Sequence, residues 1–269
     1  MVTDFIYDSL KLSDFGYAIV SFNGGITEEI NTDSQFSYNH VSMMRGKRQP
    51  YITAIYEDPL EMEMYICKNI CESNNMNAQT YNISVTDMAF LKQWLVRPTP
   101  HKLSVIGSEY NNIYWNGSFK LEEYVLGDGR VGAHLTFECD APFGYKNDVT
   151  VQSTLEANAT FSFDSLSDEI GWIYPDLEIV VLEDGDLEIT NSMDGNTMVI
   201  NNCTANEKIT IDKNLQISSS DNSHKILDDF NFNFYRVTNK FLSNVNTVTS
   251  NLPINIKITY TPYAKVVIV

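Results

Sequence analysis

Few residues in this chain have types and spacings that could do chemistry, and each admits a plain structural explanation. Gly127-Asp128-Gly129-Arg130-Val131-Gly132 has the spacing of a dinucleotide fingerprint. That fingerprint cradles a pyrophosphate only when a strand leads in and a helix leads out. Here the residues that follow alternate like a strand, so the segment reads as a tight hairpin turn. Cys67 and Cys71 are four apart, and His40, His101, His134 and His224 are scattered with no His-Glu-x-x-His. No second cysteine pair completes a tetrahedral site, so neither a metal nor any other cofactor is expected. Glu122-Glu123 and Glu61/Glu63 imitate the acid pair of a glycosidase, yet neighbours on a strand point to opposite faces. Glu61 and Glu63 share a face, with no visible cause for a raised pKa, and read as solvated. Neither Gly-x-Ser-x-Gly nor a phosphate loop occurs, and no enzyme activity is expected.

Two further groups suit recognition better than catalysis. Trp172, Tyr174 and Tyr235 are candidate platforms for a sugar ring or a protein partner. Arg45, Lys47 and Arg48 form a basic trio in an acidic chain and are candidates for contact with an acidic neighbour; a solvated basic loop explains them equally well. Phe230, Phe232 and Phe234 alternate with polar residues and are expected in a core strand.

The elements that must position these residues are almost all strands. The clearest helix begins at Thr86 or Asp87, places Met88, Leu91 and Leu95 on one stripe beside Phe90 and Trp94, and stops before Pro98 and Pro100. Val131, Ala133, Leu135, Phe137 and Cys139 have a period of two, as do Phe119 to Val125 and Met62 to Ile66. Past Tyr145, Asn-rich and acidic turns separate short runs: Leu177 to Leu182, Leu187 to Thr190, Thr197 to Ile200, Lys208 to Ile211, Leu215 to Ser218, Phe230 to Tyr235 and Ile254 to Tyr260. This spacing predicts an all-β sandwich of jelly-roll or galectin-like type. The Pro-Phe-Gly-Tyr corner before a polar Lys-Asn-Asp turn predicts two domains, residues 1–147 and 148–269.

The 269 residues carry a net charge of −17, with 10 basic and 18 acidic side chains in residues 1–145 and 8 and 17 in residues 146–269. Such a surface repels phosphate and argues against sequence-specific nucleic-acid binding. No run approaches ~18 apolar residues, so no membrane-spanning helix is expected. Acids at Asp4 and Asp8 stand where a signal peptide would be basic or apolar, and synthesis in the cytoplasm is expected. Four cysteines are too few for a disulfide framework and are expected as thiols, mostly buried. Sequons at Asn82, Asn116, Asn158 and Asn202 are no more than the Asn, Ser and Thr content produces by chance.

The order of these features resembles the distal tail proteins of long-tailed bacteriophages. The likeness rests on Phe5-Ile6-Tyr7-Asp8-Ser9 with Asp14-Phe15-Gly16-Tyr17-Ala18, on Phe90-Leu91-Lys92-Gln93-Trp94-Leu95, on Gly129-Arg130-Val131-Gly132 and on Phe137 to Tyr145. Tyr174-Pro175-Asp176, Asn191 to Gly195 and Ile211-Asp212 extend it through the second half. The resemblance implies an N-terminal β-sandwich with one short helix that forms a six-membered ring, and a galectin-like C-terminal sandwich. It implies a virion structural protein at the tail tip, made in the bacterial host. Its partners would be copies of itself, the tail tube protein, the tail tip protein and receptor-binding or baseplate proteins, around a channel for DNA. The sugar-binding His-x-Asn-Pro-Arg strand of galectins does not occur, so the likeness implies a shape without lectin activity. The alternative is a carbohydrate-binding sandwich that attaches to a host surface, with a glycoside hydrolase as a third reading.

Overall fold

A computed structural model describes residues 4–21, 36–40, 52–69, 81–107 and 109–266. The chain divides into two compact units, one of Met1–Tyr145 with Lys265–Val269 and the other of Lys146–Ala264. The last stretch therefore departs from the expected 148–269 segment. Its reason is local: Val266 packs against the first unit's core and its carbonyl accepts the Trp115 Nε1–H at 3.2 Å.

The first unit runs β1 (Asp4–Tyr7), β2 (Leu10–Lys11), β3 (Tyr17–Val20), β4 (Phe36–His40), β5 (Ile52–Glu57), β6 (Glu61–Lys68), α1 (Val85–Leu95), β7 (His101–Ile106), β8 (Ile113–Leu126), β9 (Gly129–Cys139) and the start of β10 (Gly144–Lys146). Its main sheet is ordered β2-β1-β7-β8-β9-β6-β3 with antiparallel neighbours. The period-two residues of β8 and β9 meet across the ladder, Phe119 opposite Phe137 and Leu121 opposite Leu135. Phe5, Tyr7, Trp115, Phe119 and Phe137 are almost wholly buried, and the rings of Phe5, Tyr7, Phe119 and Phe137 pack at 4.8 to 6.2 Å in edge or tilted contacts. Gly117 belongs to this layer by necessity, because a Cβ there would lie 2.2 Å from the Glu138 carbonyl oxygen and 2.7 Å from the Phe137 ring.

Helix α1 covers this layer with Met88, Leu91, Trp94 and Leu95, and Trp94 Nε1 donates to the Tyr7 carbonyl at 3.0 Å. Its N-cap is Ser84, two or three residues earlier than the sequence suggested. Ser84 Oγ accepts the Asp87 N–H at 3.0 Å while Asp87 accepts the Ser84 N–H, a reciprocal box that favours Ser84 over Thr86 or Asp87 as the start. The ribbon β4–β5 is a separate two-stranded sheet.

The second unit runs β11 (Val149–Leu155), β12 (Thr160–Asp164), β13 (Gly171–Ile173), β14 (Asp176–Val181), β15 (Gly185–Asn191), β16 (Asn196–Cys203), β17 (Lys208–Ile211), β18 (Ile217–Ser219), α2 (Ile226–Asp229), β19 (Val237–Asn239), β20 (Val245–Ser250), β21 (Ile254–Tyr260) and β22 (Tyr263–Ala264). Sheets β11-β21-β14-β17-β18 and β12-β20-β15-β16 bury one face each in a shared core. Strand β21 shows the logic: Ile254, Ile256, Ile258 and Tyr260 point inward while Asn255, Lys257 and Thr259 alternate with them on the other face. The whole chain is thus mainly β, with sandwich architecture.

Phe230 to Tyr235 is not a strand. Phe230 makes an isolated bridge to Ile200, Phe232 is exposed at φ 55°, and Phe234 is half-buried. The Asn231 and Asn233 side chains both donate to the Thr197 carbonyl, and Asn233 N–H closes back on Asn231 Oδ1. Local asparagine hydrogen bonds displace the ladder that alternation alone would favour.

Candidate functional site

The residues that looked chemical are absorbed into the fold. Gly127 sits at φ 61° in the β8–β9 turn, and a strand leads out, as the hairpin reading requires. Glu123 bridges Lys92 at 2.7 Å and Arg130 at 2.6 Å, and these two cations hold its carboxyl below the usual range. Glu63 and Glu122 flank His134 from two neighbouring strands at 3.5 and 3.6 Å. His101 lies 3.2 Å from Asp8, and His224 is buried between Glu207 at 2.6 Å and Asp229 at 3.4 Å. His101, His134 and His224 are therefore isolated along the chain but matched with acids in space, a pairing that no local spacing signals. Burial pushes the Glu207 carboxyl up, but Ser219, the Thr204 N–H and His224 outweigh it and leave the group below its ordinary value.

Cys139 and Cys203 are buried free thiols, and burial pushes both up to about 12. Cys67 is half-buried and its thiol is also raised by burial, whereas Cys71 lies outside the described residues. Among the described residues no group of three or more His, Cys, Asp or Glu could hold a metal ion, and no helix is long and apolar enough to cross a membrane.

The candidate contact residues fare differently from one another. Arg45, Lys47 and Arg48 lie outside the described residues. Tyr235 is 2% exposed, so it cannot serve as a surface platform; it belongs to the second core together with Phe230 and Val237. Tyr174 is half-buried, edge-on to Phe234. Trp172 is 56% exposed, with the Arg236 guanidinium 4.6 Å from its ring centre. Arg236 is fixed in turn by Asp194 at 2.5 Å, which also accepts from Thr238 Oγ1 at 2.9 Å. Burial raises the Asp194 carboxyl, but Arg236, the Asn196 N–H and Thr238 outweigh it and keep the group ionised below its ordinary range.

A fully buried asparagine pair holds Trp172's strand in place. Asn246 Oδ1 accepts from Asn191 Nδ2 at 2.7 Å and from the Thr238 N–H at 2.8 Å, while Asn246 Nδ2 donates to the Thr238 carbonyl at 2.9 Å. Asn191 Nδ2 also donates to the Arg236 carbonyl at 2.9 Å. Strand β19, thus clamped, pairs with β13 and sets Trp172 opposite Thr238. Sequence reasoning found Trp172 but missed Arg236, Asn191 and Asn246, because their roles exist only once the strands have met.

Among the described residues, the exposed apolar side chains of the first unit include two groups on strand ribbons. Phe36, Tyr38 and Ile55 share one face of the β4–β5 ribbon, and Tyr124, Val125 and Leu126 lie towards the tip of the β8–β9 hairpin. Strand ribbons with such exposed faces are contact surfaces more often than they are catalytic ones.

These features describe a β-rich protein. Residues 1–141 match the family of phage tail protein N-terminal domains and residues 143–260 match the phage tail C-terminal domain, so the chain belongs to this family of phage tail proteins. Its fold is similar to that in the crystal structure of the SPP1 Dit (gp 19.1) protein, described as a paradigm of the hub adsorption apparatus in Gram-positive infecting phages. The TM-score is 0.67 at 14% identity, over 97% of this chain and 99% of that one. The structure of infectious bursal disease virus Gx strain gives a TM-score of only 0.18 at 11% identity, over 98% of this chain and 60% of that one, and no argument rests on it. No curated protein matches the sequence.

Proposed function

We propose that the chain is the distal hub of a phage tail. Six copies close a ring through the first unit, and the ring joins the tail tube to the tip protein. The second unit, galectin-like in shape, carries docking surfaces for receptor-binding or baseplate proteins. The observation that carries this reading is the coincidence of a two-part tail-protein family along the chain with a fold similar over its whole length to a hub protein. A ring of head-to-tail contacts needs complementary edges and no catalytic group or cofactor, which suits a chain whose chemical residues are tied into ion pairs and cores. At −17 per copy, acidic side chains facing the channel would let DNA pass without adhering. Arg45, Lys47 and Arg48 remain candidates for the ring contact.

Native mass spectrometry of the purified chain, followed by negative-stain imaging, tests the proposal. A six-membered ring with an open centre is the expected result. A chain that stays monomeric alone and when mixed with its tail tube and tip proteins would overturn it. A second reading, a carbohydrate-binding module, draws on the exposure of Trp172 and predicts binding to host wall polysaccharide that is lost in Trp172→Ala.

A further inference from the structure

Both sheets of the second unit end on the same strap of chain, and that strap holds a buried ion pair. Strand β18 ends the five-stranded sheet and β16 ends the four-stranded one, and residues 220–231 run from the first edge to the second. Helix α2 packs on both edge strands, Phe230 bridges to Ile200, and the Asn231 N–H donates to the Val199 carbonyl at 3.1 Å. The strap's His224 reaches Glu207, whose side chain is fully buried. Glu207 accepts from the Ser219 hydroxyl and from the Thr204 N–H, and although burial opposes it, these bonds and His224 keep the carboxyl ionised. A buried carboxylate is costly unless a cation balances it. Among the described residues its ion-pair partner is His224, whose side chain is 2% exposed and whose Nδ1 lies 2.6 Å from Glu207 Oε1.

We propose that residues 220–231 are a proton-dependent strap, closed over the edges of both sheets while His224 is an imidazolium and released when the ring gives up its second proton. The charged ring donates from Nδ1 to Glu207 and sets Nε2 3.4 Å from Asp229 Oδ2, near enough for an ion pair. In the neutral ring one nitrogen carries no hydrogen. With the Nδ1 proton kept by Glu207, the Nε2 lone pair faces a carboxylate, and this buried nitrogen finds no hydrogen bond among the described residues. The remaining groups around the ring are acidic as well. Asp221, in the strap itself, interacts with His224, and Asp186 of β15 and Asp229 of α2 join Glu207 around Cys203 of β16. Asp228 of α2 is exposed. The neighbouring cations leave the ring alone: Lys225 is exposed and makes no ion pair among the described residues, and Lys208 turns to Glu178. Loss of the ring's charge therefore leaves Glu207 uncompensated among carboxylates. The strap's stabilisation is present while the ring is charged and is lost as pH rises through the ring's titration. At the acid end it is lost as pH falls through the lowered range of Glu207. Release bares the backbone groups of β16 and β18, edges to which a strand of another chain can add.

The test is amide hydrogen exchange of the full chain, read together with the NMR shifts of the His224 ring nitrogens, from about pH 5 to about pH 9, which spans the range in which histidine changes charge. Protection factors at Asp228, Asp229 and Asn231, corrected for intrinsic exchange, should fall about tenfold or more as the ring loses its charge, the worth of one charge-assisted hydrogen bond. Amides of the β14–β21 ladder should keep theirs. Asp229→Asn offers the neutral Nε2 a donor and should hold the strap closed at the upper end of the range. His224→Gln, which can still donate to Glu207, should remove the pH dependence. A ring that does not titrate in this window, strap protection that ignores its titration, or an unchanged pH dependence in either variant overturns the proposal.

Discussion

Replacing Asn246 by Ala should destabilise the second unit far more than its polar character suggests. The side chain is 0% exposed and makes four hydrogen bonds, to Asn191, to both backbone groups of Thr238 and to the Asn244 carbonyl. Alanine would leave the Thr238 N–H and C=O buried without partners, since Thr238 is only 4% exposed. Each orphaned buried group costs about 1–3 kcal/mol, so the loss should total about 4 kcal/mol. For a unit of this size, that lowers the melting temperature by roughly 16 °C. Calorimetry of the full chain measures it, with Thr247→Ala as reference, because Thr247 makes only a hydroxyl contact to exposed Ser162 at 2.8 Å. Release of β19 should also free Arg236 from Trp172 and change the tryptophan emission before the main transition. A loss for Asn246→Ala no larger than that of Thr247→Ala, about 1 kcal/mol or less, would refute the view that this amide clamps the strand.

Gly117→Ala should cost about 3 kcal/mol or more in urea unfolding of the first unit, because the obstructing atom is the Glu138 carbonyl oxygen and cannot swing aside. Glu178 should titrate at about 2, held there by Lys208 at 2.7 Å and Lys257 at 2.6 Å. Its folded value is depressed, so any stabilisation is present above the ordinary carboxylate range and is lost as pH falls through about 2. The group is solvent-exposed, and screening keeps that contribution small. NMR of the Glu178 side chain checks it, and Lys208→Ala with Lys257→Ala should return the midpoint to the ordinary range.

How far the fold could be read depended on where each strand found its hydrogen bonds. Strands β9 and β21 were legible because burial alone sets their alternation, and helix α1 because its stripe ends at a proline. Strand β20, Val-Asn-Thr-Val-Thr-Ser, was missed: its inward positions are Asn246, Val248 and Ser250, two of them polar and acceptable only through partners, Asn191 and Thr238 on other strands for Asn246 and the Leu252 carbonyl of the following turn for Ser250. The same reason hid the site. Trp172 stood out by its type, whereas Asn191, Asn246 and Arg236 matter through residues 8 to 55 positions away. Tyr235 shows the opposite error, since an aromatic suited to a surface platform is equally suited to a core.

The return of the chain from Ala264 to the first unit also orders events in time. The indole N–H of Trp115, at the centre of the first core, meets its acceptor only when Val266 has been made. Every strand of the second unit precedes that residue on the ribosome, so the inserted unit can finish folding while its host is still open. Completion of the first unit then reports that the whole insert has been synthesised. A product cut short within the second unit would lack this closure.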